Sequence, residues 1–570
     1  MYESRPRYAG ILLHISSLPG PYGIGDLGGE ARRFAGFLAA AGASLWQILP
    51  LGPTGYGNSP YAARSSFAGN ELLLSPDALA DRGLVTEAEL AELRAAFAGA
   101  AFTGPAAPEQ VDYGLVEALK LPLLKKAARR FLDAAPGAGG PGGPEADAPE
   151  TGGAGTDFAG FCGRERHWLD DYALFRTLCG RYGDARWHTV WDGAFARRDK
   201  AALEKLRGEN AAEILEWKVL QFFFETQWRD LKASVNDRGI RVIGDIPIFV
   251  APDSADSWTH IDEFQTGGGR YSFVSGVPPD YFSSTGQLWG NPVYDWEVMK
   301  DRDYAWWKAR IRRLLSQVDI FRIDHFRGFY EYWAVPADHP TAERGIWEKG
   351  PGRDFFESLK KDLGELPVLA EDLGFFTEGV KKLREDLGFP GMKICQFGFE
   401  DMKDGVLDGR HLFLPHNYGY PWAAYTGTHD NNTAAGWYAA LDEADKRTAA
   451  AYFNCAPGSG PLSPNGTRGV PSGESAPAAV TAALPEPADM AWAMIRAVMA
   501  SHAEYAIFPL QDLLGLGAEA RMNTPATCGR ENWSWRLTES RFSALGAGTG
   551  SPARRFRDLT TLYGRGPVRG

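Results

Sequence analysis

Eight short runs rich in apolar, β-branched and aromatic residues recur along the chain, and many are separated by segments with helical periodicity. Several runs are almost continuously apolar, as expected of parallel strands covered on both faces. Strand–helix alternation predicts an α/β fold with a parallel sheet, open or closed, and eight strands favour a (β/α)8 TIM barrel. The predicted strands are 9–14, 44–51, 241–250, 319–326, 366–371, 392–399, 425–430 and 505–510. The predicted helices are 29–41, 211–238, 303–316, 353–363, 377–387 and 487–503.

The predicted strands are unevenly spaced over 570 residues, a length that suits three domains or one barrel enlarged by insertions. We expect a single barrel domain over 1–570 with no separate C-terminal β domain, and insertions at approximately 52–210, 251–302 and 400–424. Two Gly/Pro-rich tracts, 133–157 and 456–478, cannot bury enough apolar surface to order themselves. They are predicted to be flexible surface loops.

Charge and composition exclude several classes of partner. A net charge of -12 argues against a sequence-independent nucleic-acid binder, which needs a basic face. No apolar run approaches the roughly 20 residues of a membrane span, and the N-terminus does not resemble a signal peptide. The five scattered cysteines form no C-x-x-C pair and fit reduced thiols. We therefore expect a cytoplasmic protein.

Two motifs point to other chemistry but lack the residues that chemistry needs. The segment YGIGDLGG (22–29) contains G-x-G-x-x-G, yet no acidic residue occurs in 31–70 to hold a ribose. A glycine-rich turn is therefore the better interpretation. The segment GTHDNNT (427–433) contains a His-Asp pair, but no H-x-x-x-H spacing among the ten histidines supports a metal site. The sequence predicts neither a cofactor nor a metal.

Three carboxylates each follow an apolar β-like run and precede a turn or polar stretch: Asp324, Glu371 and Asp430. Any one of them alone could be a solvated strand end or a helix cap. In a parallel barrel, however, all three would lie at the C-terminal rim, where active sites are built. Retaining cleavage of an acetal needs an ionised carboxylate and a protonated carboxyl about 5–5.5 Å apart. The pattern therefore predicts a glycosidic active site.

The neighbouring residues suggest different roles for two of these carboxylates. Arg322 and Asp324 are two positions apart on one strand and project from the same side. The guanidinium is expected to lower the pKa of Asp324 and keep it a nucleophile. Glu371 follows the apolar run LPVLA, so desolvation and nearby negative charge are expected to raise its pKa, as a general acid requires.

The order and spacing of these motifs resemble the 4-alpha-glucanotransferases of glycoside hydrolase family 77, the amylomaltases or disproportionating enzymes. The resemblance covers nearly the whole chain, from GILLHISSLPGPYGIGDLG through LWQILPLGPTGYGNSPY and FRIDHFRGFYEYWAVP to IFPLQDLLGLGAEARMNTP and NWSWR. It implies Asp324 as nucleophile, Glu371 as general acid/base and Asp430 as the carboxylate that stabilises the transition state. It also implies substrate contacts by Arg322, His429, Asp245, Ser59, Tyr61, Gln287, Trp289, His325, Asp372 and Asn532.

The resemblance further implies that the enzyme transfers part of an α-1,4-glucan to the 4-OH of an acceptor glucan or glucose through a covalent glucosyl-Asp intermediate. Segment 276–282 resembles a loop that closes over the acceptor side. The expected partners are maltooligosaccharides, starch or glycogen, and the protein could be a monomer or a small homo-oligomer. An amylase-like α-1,4-glucan hydrolase and a non-catalytic glucan-binding protein remain alternatives.

Overall fold

The computed structural model describes residues 5–101, 109–134, 154–279, 283–374, 377–455, 484–546 and 548–566. Its central element is an eight-stranded parallel sheet. The strands are β1 (Tyr8–Leu12), β2 (Leu45–Gln47), β3 (Arg241–Pro247), β4 (Ile320–Asp324), β5 (Val368–Ala370), β6 (Gly391–Ile394), β7 (Trp422–Tyr425) and β8 (Tyr505–Pro509).

The sheet is nearly closed into a barrel, because its order is β5-β4-β3-β2-β1-β8-β7-β6 and its two edges approach each other. The backbone N–H of Ala370 donates to the carbonyl oxygen of Pro390 at 2.8 Å. The N–H of Met392 donates to Oδ1 of Asp372 at 2.9 Å. The predicted (β/α)8 barrel is confirmed.

The barrel interior is filled by inward-facing side chains such as Leu45, Ile243 and Tyr425. The hydroxyl of Tyr425 donates to Oε1 of Gln47 at 3.0 Å, which satisfies two buried polar groups. Gly10 lets β1 approach β2 closely, since an added Cβ would lie 2.5 Å from the Cβ of Leu45. The interior is therefore a packed core that supports the rim above it.

Helices surround the barrel, and all six predicted helices are present. The chain from β1 to β6 contributes Gly29–Ala40, Ala211–Asn236, Ala305–Gln317, Gly352–Leu363 and Glu378–Leu387. The chain after β7 contributes Ala434–Ala440, Glu443–Tyr452, Pro487–Ala500, Leu510–Leu513, Glu539–Ala544 and Pro552–Leu562. None of the helices in these described ranges has the length and apolarity that crossing a bilayer requires.

The outside of β6 is covered without an α-helix from the segment that follows this strand. Residues 395–421, all of which the structure describes, contain two 3-10 turns, Cys395–Phe399 and Pro415–Asn417, and no α-helix. The cations of Arg384 and Lys393 both lie against the Trp422 ring, at 4.4 and 4.1 Å from its centroid. Cation–π contacts therefore stabilise a surface that other β/α units cover with a helix.

The segment between β2 and β3 is largely helical. Aromatic contacts among Phe131, Phe158, Phe222 and Phe223 join it to the barrel helix Ala211–Asn236. The predicted loop 133–157 overlaps helix ends at Ala134 and Ala154, and its residues 135–153 lie outside the described residues, as does all of 456–478. The helices here are Pro76–Ala80, Glu87–Ala101, Tyr113–Ala134, Ala154–Arg164, Arg166–Tyr182, Gly193–Ala196 and Lys200–Glu209.

A second, antiparallel sheet rises from the carboxyl ends of β3 and β4. Its strands, in spatial order, are Ile346–Lys349, Glu331–Pro336, Phe273–Val277 and Gln287–Pro292. The short helices Ala255–Thr259 and Trp296–Asp301 and the hairpin Thr266–Gly267/Arg270–Tyr271 flank it. Half of this sheet comes from the insertion predicted at 251–302. The other half follows β4 and was not predicted.

The seventh barrel strand was predicted too late in the sequence. It spans Trp422–Tyr425 rather than 425–430, so the insertion proposed for 400–424 overlaps it. Residues 428–431 form a polar turn instead, because Oδ1 of Asn431 accepts hydrogen bonds from the N–H and the hydroxyl of Thr428, both at 2.9 Å. This turn carries Asp430 away from the strand and over the rim.

Candidate active site

The three predicted carboxylates lie at the rim of the barrel formed by the carboxyl ends of the strands. Asp324 is the last residue of β4, Glu371 directly follows β5, and Asp430 lies in the turn after β7. The charges of Glu371 and Asp430 each interact electrostatically with the Asp324–Arg322 pair. The structure therefore brings distant segments of the chain to one site.

Arg322 organises the floor of the site. Its Nη1 lies 2.7 Å from Oδ2 of Asp245 and its Nη2 lies 2.7 Å from Oδ1 of Asp324. The Tyr61 hydroxyl donates to the same Asp245 oxygen at 2.8 Å. The Arg322 side chain is only 5% exposed, whereas that of Asp324 is 28% exposed. Arg322 thus holds Asp324 at the pocket surface.

The pKa of Asp324 is shifted in the opposite direction to the prediction. Burial raises it to about 6, and the negative charges of Asp245 and Asp430 add to this effect. The Arg322 guanidinium opposes the shift, as predicted, but does not outweigh burial. Asp324 is therefore ionised mainly above pH 6.

Two backbone N–H groups hold the Glu371 carboxylate by hydrogen bonds. The N–H of His325 donates to its Oε2 at 2.7 Å and the N–H of Leu373 donates to its Oε1 at 3.0 Å. Burial raises the pKa of Glu371 to about 7, with Arg322 opposing the shift, Asp324 adding to it, and the two N–H groups opposing it. At neutral pH a large fraction of this carboxyl carries the proton that a general acid must give.

Asp430 has the opposite electrostatic character. Burial alone would raise its pKa, but His429, Asn523 and Arg322 outweigh burial and hold the pKa well below its usual range. Nε2 of His429 lies 3.3 Å from Oδ2, and Nδ2 of Asn523 donates to Oδ1 at 2.6 Å. Arg521 donates to the backbone oxygen of Asp430 at 2.6 Å. Asp430 therefore stays ionised at neutral pH.

Asn523 and Trp533 are neighbours of the site that the sequence analysis did not assign. The Trp533 ring lies 5.5 Å from that of Tyr61 and 5.7 Å from that of His429. Tyr61 and His429 stack on each other at 5.1 Å. Both missed residues belong to quoted motifs, MNTP and NWSWR, so the signal was present in the sequence.

Two residues predicted to touch substrate have polar partners within the protein. Asp372 accepts from the Met392 N–H and forms an ion pair with Arg384 at 2.9 Å. Asn532 accepts from the N–H of Thr524 and donates to the carbonyl and the hydroxyl oxygens of Thr527. Both side chains hold loops in place, and their assignment as substrate contacts stays a prediction.

The other predicted contacts lie around the rim. Ser59 caps the turn that carries Tyr61, accepting from its N–H at 3.2 Å. Gln287 and Trp289 lie on the second sheet, and the Trp289 ring meets His325 edge-on at 4.8 Å. Burial and Arg327 lower the pKa of His325 to about 4, so its ring is neutral at pH 7. Of the loop predicted at 276–282, residues 280–282 lie outside the described residues.

No group of three or more His, Cys, Asp or Glu side chains within the described ranges is arranged to hold a metal ion.

Comparison with known proteins identifies the family. A family model described as 4-alpha-glucanotransferase, glycoside hydrolase 77, matches residues 13–541. The 4-alpha-glucanotransferase of Thermus thermophilus is 42% identical over 544 residues, covering 94% of this chain and 96% of its own. A chloroplastic/amyloplastic 4-alpha-glucanotransferase of Arabidopsis thaliana is 39% identical over 570 residues, covering 99% and 86%.

A solved structure agrees with these sequence matches. The amylomaltase of Streptococcus agalactiae, in complex with acarbose, superposes with a TM-score of 0.83 at 34% identity and covers 98% of this chain and all of its own. Fold, sequence and the geometry of the rim thus lead to one assignment. The chain belongs to the 4-alpha-glucanotransferase family, the amylomaltases or disproportionating enzymes of glycoside hydrolase family 77.

Proposed function

We propose that this 4-alpha-glucanotransferase acts by retaining double displacement, with Asp324 as nucleophile, Glu371 as general acid/base and Asp430 as the stabilising carboxylate. One observation carries the proposal. An anionic carboxylate held by Arg322 and a carboxyl with a pKa near 7 lie on adjacent strands, and their charges interact. Two unlike environments impose two unlike roles on two carboxylates.

In the first step, Oδ of Asp324 attacks the anomeric carbon of an α-1,4-glucan. The bond to the glycosidic oxygen breaks, and Glu371 gives its proton to that oxygen as the reducing-end fragment leaves. The product is a glycosyl ester on Asp324. Asp430, which stays ionised, stabilises the positive charge that develops on the sugar ring.

In the second step, Glu371 takes the proton from the 4-OH of an acceptor glucan or glucose. The acceptor oxygen attacks the anomeric carbon and the ester bond to Asp324 breaks. Two inversions restore the α configuration. Transfer exceeds hydrolysis when sugar rather than water occupies the acceptor side. The Trp289 ring beside His325 supports a role of this ring in excluding water there.

The proposed substrates are maltooligosaccharides, starch or glycogen. The Streptococcus agalactiae amylomaltase binds acarbose in its solved structure, and this supports a saccharide substrate for the present chain. We further propose a cytoplasmic monomer or small homo-oligomer that binds neither nucleic acid nor membranes. The net charge of -12 and the scattered cysteines support that setting.

Incubation with maltotriose alone tests the proposed function. We expect glucose together with oligomers longer than maltotriose, and a nearly constant number of reducing ends, because each transfer makes one glycosidic bond for each bond it breaks. Chromatography of the products and a reducing-end assay measure both quantities. A steady rise in reducing ends would identify a hydrolase, and an unchanged substrate would favour the non-catalytic alternative.

Replacing Asn523 by Ala is expected to lower kcat about 10- to 100-fold, because it removes a hydrogen bond to an ionised carboxylate. Without that bond the pKa of Asp430 rises from its low value, but the acidic limb of the pH–kcat profile should stay near pH 6, where Asp324 ionises. The exposed Arg530 of the same loop, replaced by Ala, is the control. A kcat equal to that of the wild type in the Asn523 variant would contradict this positioning role.

A further inference from the structure

Exposed apolar side chains are concentrated on one part of the molecule. Among the residues that the structure describes, ten large apolar side chains are exposed, and five lie on or directly beside the second sheet. Large apolar groups that remain in water near a substrate site mark a binding surface. The five are Leu288, Trp289, Tyr330, Ile346 and Trp347.

Trp347 differs from an incidental surface tryptophan because its ring is held in place. It is 42% exposed, yet the Trp333 ring meets it at 5.3 Å and the Arg327 guanidinium lies 4.2 Å from its centroid. Arg327 is itself paired with Glu331 at 2.5 Å, and Nε1 of Trp333 donates to the carbonyl oxygen of Ala342. A pre-ordered aromatic face loses little conformational entropy when a ligand binds to it.

A short series of contacts connects Trp347 to the segment that holds Glu371. The proposed general acid must contact the leaving-group oxygen, so groups leading outward from Glu371 line the acceptor side. The N–H of His325 donates to Glu371, and Arg327, two residues later, contacts Trp347. The Gly350 N–H donates to the carbonyl oxygen of Tyr330, which ties the Trp347 strand to this segment.

We propose that Trp347 is a specificity-determining residue that stacks against a glucose unit of the acceptor beyond the unit that carries the attacking 4-OH. This inference rests on the proposed transferase function. The C–H face of a pyranose is apolar enough to stack on an indole, and burying both faces removes apolar surface from water. Trp347 then favours long acceptors over glucose, which occupies only the first acceptor position.

The test compares two acceptors with one donor, α-maltosyl fluoride, whose released fluoride reports turnover. In Trp347→Ala, the KM for maltotetraose as acceptor should rise about fivefold to tenfold, while kcat and the KM for glucose stay unchanged. Trp347→Phe retains a flat ring and should recover most of the preference. Leu562→Ala, which removes an exposed apolar side chain at the end of the helix Pro552–Leu562, outside the second sheet, is the control and should match the wild type.

Each alternative result has one meaning. If wild-type protein transfers maltosyl groups to neither acceptor, the proposed function fails. If the wild type transfers and Trp347→Ala keeps the same ratio of the two KM values, only the role of Trp347 is overturned. Trp347→Leu, which keeps apolar bulk without a ring, covers the case in which the Ala variant does not fold. An equal change for both acceptors in the Leu variant would overturn the proposal as well.

Discussion

Replacing Asp324 by Asn is expected to reduce glucan transfer by at least about a thousandfold, because Asp324 is partly exposed, whereas Asp245, the other carboxylate that Arg322 holds, is fully buried. The amide keeps the shape of the side chain and can still accept a hydrogen bond from Nη2 of Arg322. Discontinuous transfer assays with maltotriose, followed long enough to detect one turnover per hour, measure the loss.

The same substitution is expected to stabilise the fold at alkaline pH. Burial raises the pKa of Asp324 to about 6, above its unfolded value, so ionisation of this carboxyl opposes folding as the pH rises through that range. The Asn variant does not ionise there and should gain on the order of 1–3 kcal/mol at pH 8 relative to the wild type. That difference should vanish near pH 3, below the pKa of Asp324 in both the folded and the unfolded state.

Thermal unfolding at the two pH values, together with the activity assay, separates chemistry from folding. Asp354→Asn, which changes a half-exposed carboxylate on the helix Gly352–Leu363, provides the control for a neutralised charge. Retention of wild-type activity by Asp324→Asn would show that the nucleophile is a different group. A loss of stability at pH 8 would show that the ion pair between Arg322 and ionised Asp324 stabilises the fold more than burial of the Asp324 charge destabilises it.

The barrel could be predicted from sequence because its strands are nearly continuous apolar runs bounded by polar turns. The second sheet could not, for two physical reasons. Its strands, such as FVSGV and QLWGNP, are interrupted by Gly or Pro and are partly exposed, so they lack both apolar continuity and clean alternation. Two of its four strands also follow β4, and pairing between segments about 60 residues apart leaves no local signal.

The site shows the same division between local and non-local information. The three carboxylates were recognisable because each follows a strand end, which is a local property. Asp372 lies next to Glu371, yet neighbouring residues at a strand end point in opposite directions, and Asp372 meets Arg384 outside the barrel. The partners of Asp372 come from folding, as does the balance of burial and Arg322 that sets the pKa of Asp324.

Replacing Glu371 by Ala should lower kcat for maltotriose about 10²- to 10⁴-fold, the usual effect of losing a general acid/base. The loss should depend on the leaving group. A glucan alkoxide must be protonated as it departs, whereas fluoride leaves without a proton. With α-maltosyl fluoride the variant should therefore complete the first step, in which Asp324 forms the ester and fluoride is released.

The second step then becomes limiting, because no base removes the proton of the acceptor hydroxyl. The maltosyl ester on Asp324 should accumulate and appear by mass spectrometry as a maltosyl adduct on the peptide that contains this residue. Azide needs no deprotonation and fits the space left by the carboxyl, so it should restore turnover and yield the α-maltosyl azide. Glu357→Gln, a change on an exposed helix face, is the control.

The pH dependence completes this test. In the wild type, kcat/KM should fall above about pH 7 as Glu371 loses its proton, since burial has raised its pKa to about 7. In the Ala variant with the fluoride donor and azide, that alkaline limb should be absent, because neither step uses a proton from residue 371. A limb that persists would assign the acid to another group, and a β-configured azide product would exclude the ester on Asp324. The double variant that also carries Asp324→Asn should form no adduct under any of these conditions.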